Sequence, residues 1–208
     1  MLNTKKLLHV GCGQKTKMET TPGFKLNEWI ETRFDIDSRV EPDIVGSILK
    51  MDVIDNNCYD AVFSSHNIEH LYPHEVPAAL LEFNRVLNDD GFVVITCPDL
   101  QSVCELVSQD KLTDAAYNSP AGPITPLDIL YGHRASLQQG HHYMAHKCGF
   151  TLKVLMGTLK AAQFVKVAGL KRRHPFYDLW VIASKANLDE KQLRDLALSH
   201  FPSDSEPK

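Results

Sequence analysis

No stretch of this sequence is long and apolar enough to cross a bilayer, because every hydrophobic run falls well short of the roughly 18 residues that a spanning helix needs. Nor is a secretory leader expected at the amino terminus. Lys5 and Lys6 precede an apolar run of only about four residues, with no cleavage signal behind it. Cysteine is scarce: five, at positions 12, 58, 97, 104 and 148. An odd number, partly inside apolar runs, argues against a disulfide framework and for reduced, buried thiols. Positive charge is also short. Lys and Arg number 22 against 26 Asp and Glu, a formal net charge of −4, which removes bulk attraction to nucleic acid. One basic run, Lys171-Arg172-Arg173-His174, reads as a solvated turn between strands rather than a polyanion contact. There is no internal repeat and no linker separating two domains. These absences predict a cytoplasmic chain without a membrane partner, whose 208 residues suffice for a substantial core.

What is present begins with Leu7-Leu8-His9-Val10-Gly11-Cys12-Gly13, a short apolar strand running into a two-glycine turn. Such a turn lets the backbone approach a bound molecule where a side chain would clash. Asp37 follows the next strand-like run and is placed to accept hydrogen bonds from ribose hydroxyls, a little beyond the usual spacing of about 20 residues. Asp35 is its nearby competitor, and capping of a turn before Pro42 is the plainer role for Asp37. A dinucleotide fingerprint would need a third glycine where Thr16 stands, so a nicotinamide oxidoreductase is disfavoured.

Strand-like runs at 7–10, 32–36, 43–46, 59–64 and 91–97 alternate with helical patterns. Val76, Leu80, Phe83 and Leu87 recur at three- and four-residue steps, which predicts an amphipathic helix closed by the turn chemistry of Asn88-Asp89-Asp90-Gly91. The run Phe92–Cys97 is apolar on both faces, as a central parallel strand should be. A helix is expected over 99–109, then a loop-rich insertion over 110–145, too long for an ordinary connection and placed to form a substrate wall. A helix over 151–163 and a β-hairpin made of 164–170 and 177–184 follow. Residues 188–208 are expected to be a surface helix and a frayed tail.

The run Tyr59-Asp60-Ala61-Val62-Phe63-Ser64-Ser65-His66-Asn67-Ile68-Glu69-His70-Leu71, followed by Arg85-Val86-Leu87-Asn88-Asp89-Asp90-Gly91, carries a resemblance beyond the glycine turn. In that order, with "GCG", "DID" and Pro98-Asp99, the chain resembles the class I S-adenosylmethionine-dependent methyltransferases, specifically the small type 11 group. The resemblance is close over about 7–100 and looser over 146–185. It implies an α/β fold, a doubly wound Rossmann-like sheet of seven strands in the order 3-2-1-4-5-7-6. That sheet is mostly parallel with a C-terminal antiparallel hairpin, within one methyltransferase domain over 1–187. It also implies S-adenosylmethionine as cofactor and S-adenosylhomocysteine as product. Gly11, Cys12 and Gly13 would face the methionyl end, Asp37 the ribose, and Ser47 and Ile48 the adenine. Ser65 and His66 would close over the cofactor from the fourth strand. Glu69-His70 is expected to bond backbone groups, and Arg85 to pair with Glu82 or Asp60.

Methyl transfer to a hydroxyl, amine or thiol gains from a general base, and histidine suits that near neutral pH. The candidates are His66 and the cluster His133, His141, His142 and His146, with His66, His142 and His146 taken as the catalytic set. His142 and His146, four apart, would share a helix face as metal ligands can, but no acidic ligand is near in sequence and no zinc spacing of cysteines exists. The expectation is therefore no metal. The function expected is methyl transfer to a small-molecule or biosynthetic-intermediate acceptor. The alternative from another class is a non-catalytic sensor or scaffold that binds S-adenosylmethionine.

Overall fold

The computed structural model describes residues 4–203. A seven-stranded sheet is built from β1 (Lys5–Val10), β2 (Trp29–Asp35), β3 (Ile44–Val45), β4 (Tyr59–Ser65), β5 (Leu87–Pro98), β8 (Lys166–Arg172) and β9 (Asp178–Ser184). Their order is β3-β2-β1-β4-β5-β9-β8. Counting only these strands in chain order, that is 3-2-1-4-5-7-6, as the resemblance implied. β1 to β5 run parallel, and β9 is antiparallel to both β5 and β8. The chain moves one way from β1 to β2 and β3, then returns to the other side with β4. That makes the carboxyl ends of β1 and β4 the switch point, where open α/β sheets bind ligands.

Each face of the sheet has its own core. Leu8, Val10, Val62, Val93 and Ile95 meet α1 (Val76–Val86) and α5 (Leu152–Ala161) through Val76, Ala79, Leu80, Phe83, Leu155 and Leu159. The three- and four-residue steps along α1 make this face continuous, with Pro77 in the first turn, where a missing N–H costs nothing. Phe83 is fully buried there, and its truncation to Ala would cost about 3–5 kcal/mol. On the opposite face Leu7, Ala61, Phe63, Phe92 and Val94 pack against Phe24, Trp29 and Ala197.

This second face departs from the sequence reading. The β1–β2 connection contains two 3₁₀ turns, Lys17–Glu19 and Pro22–Lys25, and no α-helix. The helix expected to be superficial, α6 (Glu190–His200), covers the gap: it buries Ala197 and His200. The His200 ring lies 4.3 Å from that of Phe24, and its Nδ1 is 2.7 Å from Thr21 Oγ1. The tail beyond 203 lies outside the described residues.

Three further expectations are corrected. Residues 88–91 do not separate α1 from β5. Leu87 already pairs with Tyr59, the next register pair is Ala61 with Phe92, and the intervening residues bulge out of the ladder. The first half of the basic run is not solvated, because Lys171 pairs with buried Asp99 (2.9 Å) and Arg172 with buried Asp178. The insertion is also more regular than its glycines and prolines suggested. After α2 (Leu100–Ser108) come a hairpin, β6 (Tyr117–Ser119) with β7 (Gly122–Ile124), then α3 (Pro126–Tyr131) and α4 (Arg134–Gln138). Val103, Ala116, Ile124 and Ile129 give this segment a small core of its own.

Candidate functional site

Gly11 and Gly13 stand at the exit of β1 with φ of +61° and +54°, where an L side chain is strained. A Cβ on Gly11 would lie 2.5 Å from Asn67 Cγ, whereas one on Gly13 would meet nothing within 4 Å. Gly13 therefore presents open space at the switch point. The backbone N–H groups of the turn are all engaged within the protein. Gly11 and Cys12 donate to Phe34 O, and Gly13 donates to Asp35 Oδ2 at 2.8 Å. Asp35 Oδ1 accepts from Asp37 N, so this buried acid ties the β1 and β2 exits together. Arg33 completes the brace by donating to the carbonyls of Gly13, Lys15, Val40 and Glu41. Neither role was read from the sequence.

Asp37 does cap the following turn, accepting from Arg39 N. Its carboxylate is also gripped by the Arg39 guanidinium (both bonds 2.8 Å) and by the Tyr143 hydroxyl. Arg39, and after it Tyr143, hold the Asp37 carboxyl well below the usual range. Tyr143 belongs to the 3₁₀ turn His142–Met144, so the far end of the insertion reaches back over the β2 exit. A contact spanning 106 residues leaves no local signal. Further along, Ser47 Oγ accepts from Leu49 N, and Ile48 is buried in the core.

Val10 pairs with Ser64, which brings Gly11 and the β4 exit side by side. Ser65 Oγ meets Thr96 Oγ1 at 2.9 Å. His66 extends the ladder through its N–H to Thr96 O, yet adopts φ of +49°, a left-handed conformation that costs on the order of 1 kcal/mol and collects at functional positions. Its side chain is half exposed, and Nδ1 lies 3.4 Å from Glu69 Oε1, a close contact rather than an aligned hydrogen bond.

Glu69 is the unexpected residue. Its main-chain carbonyl accepts from Lys147 and Cys148, but its side chain, 1% exposed, bonds no backbone group, and neither carboxylate oxygen has a hydrogen-bond partner. Burial works to raise this carboxyl; His66 first, then His70 and His146, outweigh it and hold it below its ordinary value. His70 and His146 stack edge to face at 5.0 Å. Burial lowers the His146 imidazole against the pull of Glu69. His142 is exposed and joins none of this, since the segment is helical only as far as Met144 and the predicted shared helix face does not form.

Beside this cluster a cavity of about 180 Å³ opens between the β5 exit, α2, α3 and residues 146–149, with Glu69, Pro98, Leu100, Ile129 and His146 among its walls. Burial pushes the Cys12 and Cys148 thiols up to about 11, so neither is a nucleophile near neutral pH. Among the described residues no helix is long and apolar enough to cross a membrane.

Residues 8–95 match a family model described as a methyltransferase domain. Curated proteins gave no significant match. Among solved structures, a S-adenosylmethionine-dependent methyltransferase from Methanosarcina mazei is similar at 18% identity and a TM-score of 0.55, covering 88% of this chain and 92% of that one. A possible histamine N-methyltransferase from Thermotoga maritima shares 12% identity at a TM-score of 0.53, over 88% and 83% of the two chains. The 1,6-didemethyltoxoflavin-N1-methyltransferase of Burkholderia thailandensis, solved with 1,6-didemethyltoxoflavin and S-adenosylhomocysteine, shares 15% at a TM-score of 0.54, over 89% and 72%. At these identities the likeness is one of fold.

Proposed function

We propose that this chain is a class I S-adenosylmethionine-dependent methyltransferase, on its methyltransferase-domain match over residues 8–95 and its fold, and that it methylates a small-molecule acceptor held beside the β5 exit. The observation that carries this reading is an alignment of empty spaces. The open side of Gly13 and the 180 Å³ cavity lie at the carboxyl ends of β1 and β5, with the exit of β4 and its His66–Glu69 pair between them.

The residues present fit the cofactor: a glycine turn with room at Gly13, acids at the β2 exit, and Ser65 and His66 at the β4 exit. When bound, S-adenosylmethionine would supply an electrophilic methyl whose bond to sulfur breaks as the acceptor's lone pair forms the new one. Asp37 would hold the ribose once Tyr143 releases it, with Asp35 beside it. Gly11 and Cys12 would flank the methionyl end, and Ser47 the adenine. His66 is the best-placed general base. With Nδ1 towards Glu69, its Nε2 is left to take a proton from an acceptor hydroxyl, amine or thiol. His146 would shape the acceptor pocket, and His142 and Tyr143 would close its rim and exclude water.

Incubation with S-adenosylmethionine and a pool of small polar metabolites tests the reading. It predicts S-adenosylhomocysteine formation that His66→Ala lowers by about 10²–10⁴-fold, well beyond any loss of cofactor affinity. Cofactor binding with no turnover on any acceptor would favour the sensor instead. Absence of binding would reject both.

A further inference from the structure

We propose that Glu69, His70 and His146 bind one divalent first-row transition cation between the cofactor crevice and the acceptor cavity. One ligand-capable atom from each of the three lies within 4.8 Å of the others. Proximity alone would be weak, but three further observations converge on it.

The first is Glu69 itself. A carboxylate that is 1% exposed, with neither oxygen hydrogen-bonded, is an expensive arrangement for a protein to keep unless something else satisfies it. The second is the orientation of both imidazoles. His70 Nδ1 faces Ala145 O at 3.2 Å and His146 Nδ1 faces Ile129 O at 2.7 Å. A carbonyl can only accept, so each Nδ1 carries the proton and each Nε2 keeps its lone pair. That is the way metal-binding histidines are usually fixed, the second nitrogen anchored to a carbonyl. The third is rigidity. Lys147 and Cys148 donate to Glu69 O, and His146 donates to Tyr131 O, which locks the distant segments bearing the ligands against each other.

The donor set selects the ion. Two imidazoles and one carboxylate suit zinc, iron, manganese or cobalt, and are too nitrogen-rich for magnesium or calcium. Bond lengths of about 2.0–2.1 Å place tetrahedral donors about 3.3 Å apart, so side-chain rotations must draw the atoms in by up to about 1.5 Å. His66 Nδ1, 3.4 Å from Glu69 Oε1, is close enough to serve as a further ligand or to remain a base. Glu69 and His146 both line the cavity, so the open coordination position would face it. On the methyltransferase reading, and resting on it, the acceptor is then an oxygen compound whose hydroxyl the cation holds and acidifies.

The test is a titration of untagged, chelator-dialysed full-length protein with Co²⁺ read by visible absorption, and with Zn²⁺ and Mn²⁺ by calorimetry, before and after addition of S-adenosylhomocysteine. The expected result is one equivalent per chain, weakened at least 10-fold in Glu69→Gln and in His146→Asn and unchanged in His142→Ala. Should Glu69→Gln fail to fold, His70→Asn carries the same expectation. No saturable binding, or equal affinity in the folded variants, overturns the site. Because S-adenosylhomocysteine affinity is measured on the same samples, loss of the metal site alone leaves the methyltransferase reading standing, and the reverse outcome separates them as cleanly.

Discussion

The two glycines at the β1 exit make separable predictions, although they sit in one turn. Gly13→Ala adds a methyl group that touches nothing in the folded protein, so its cost to stability is only the left-handed backbone, about 1–2 kcal/mol. For a chain of this length that lowers the melting temperature by roughly 2–8 °C. The same methyl projects into the space the cofactor should enter, and binding of S-adenosylhomocysteine, read by calorimetry, should be lost. Gly11→Ala has the backbone cost and a collision besides, since the new Cβ falls 2.5 Å from Asn67 Cγ. Overpacking of that kind adds about 1–3 kcal/mol, for a total of about 2–5 kcal/mol. Adding Asn67→Ala should recover the collision part and leave the backbone part, so the double variant should melt close to Gly13→Ala. Wild-type affinity in a folded Gly13→Ala protein would place the cofactor elsewhere. A Gly11→Ala protein whose stability Asn67→Ala does not improve would show that the contact with Asn67 is not what constrains the turn.

Asp37→Ala should weaken S-adenosylhomocysteine binding about tenfold or more, the effect of losing a hydrogen bond to a charged group; Tyr143→Phe should leave it equal or tighter by freeing the carboxylate, and equal affinity in both variants would remove Asp37 from the ribose. His200 is lowered by burial to about 4, so the unfolded chain takes up its proton first as pH falls. Stability should therefore decline from pH 6.5 to about 4, by up to roughly 3 kcal/mol. Denaturant titrations of His200→Gln should show a shallower decline, His146 supplying part of the remainder in the same direction; an unaltered slope would refute the assignment. Asp178→Ala strands the largely buried Arg172 guanidinium and should cost about 3–5 kcal/mol. A melting temperature within 2–4 °C of wild type, about 1 kcal/mol by the usual scaling, would show that water reaches Arg172.

The sequence by itself determined the elements whose cause is local. Val76, Leu80 and Phe83 recur at helical steps because one face of α1 must be buried, and Phe92–Ile95 is apolar on both faces because β5 is covered on both sides. The glycine turn could be read because a left-handed backbone favours a particular residue type. The strand order was legible only through motif resemblance, since periodicity says which face of a strand is buried and not which strand lies beside it. The tertiary structure alone decided the rest. Nothing in the charged sequence of α6 announces that His200 will plug the face left bare by two 3₁₀ turns. Asp37 looks free until Tyr143 arrives from 106 positions away, and Glu69 looks like a helix-opening acid until His146 is folded against it. Those partners are chosen by chain closure across the sheet's carboxyl edge, and local pattern carries no information about distance in space.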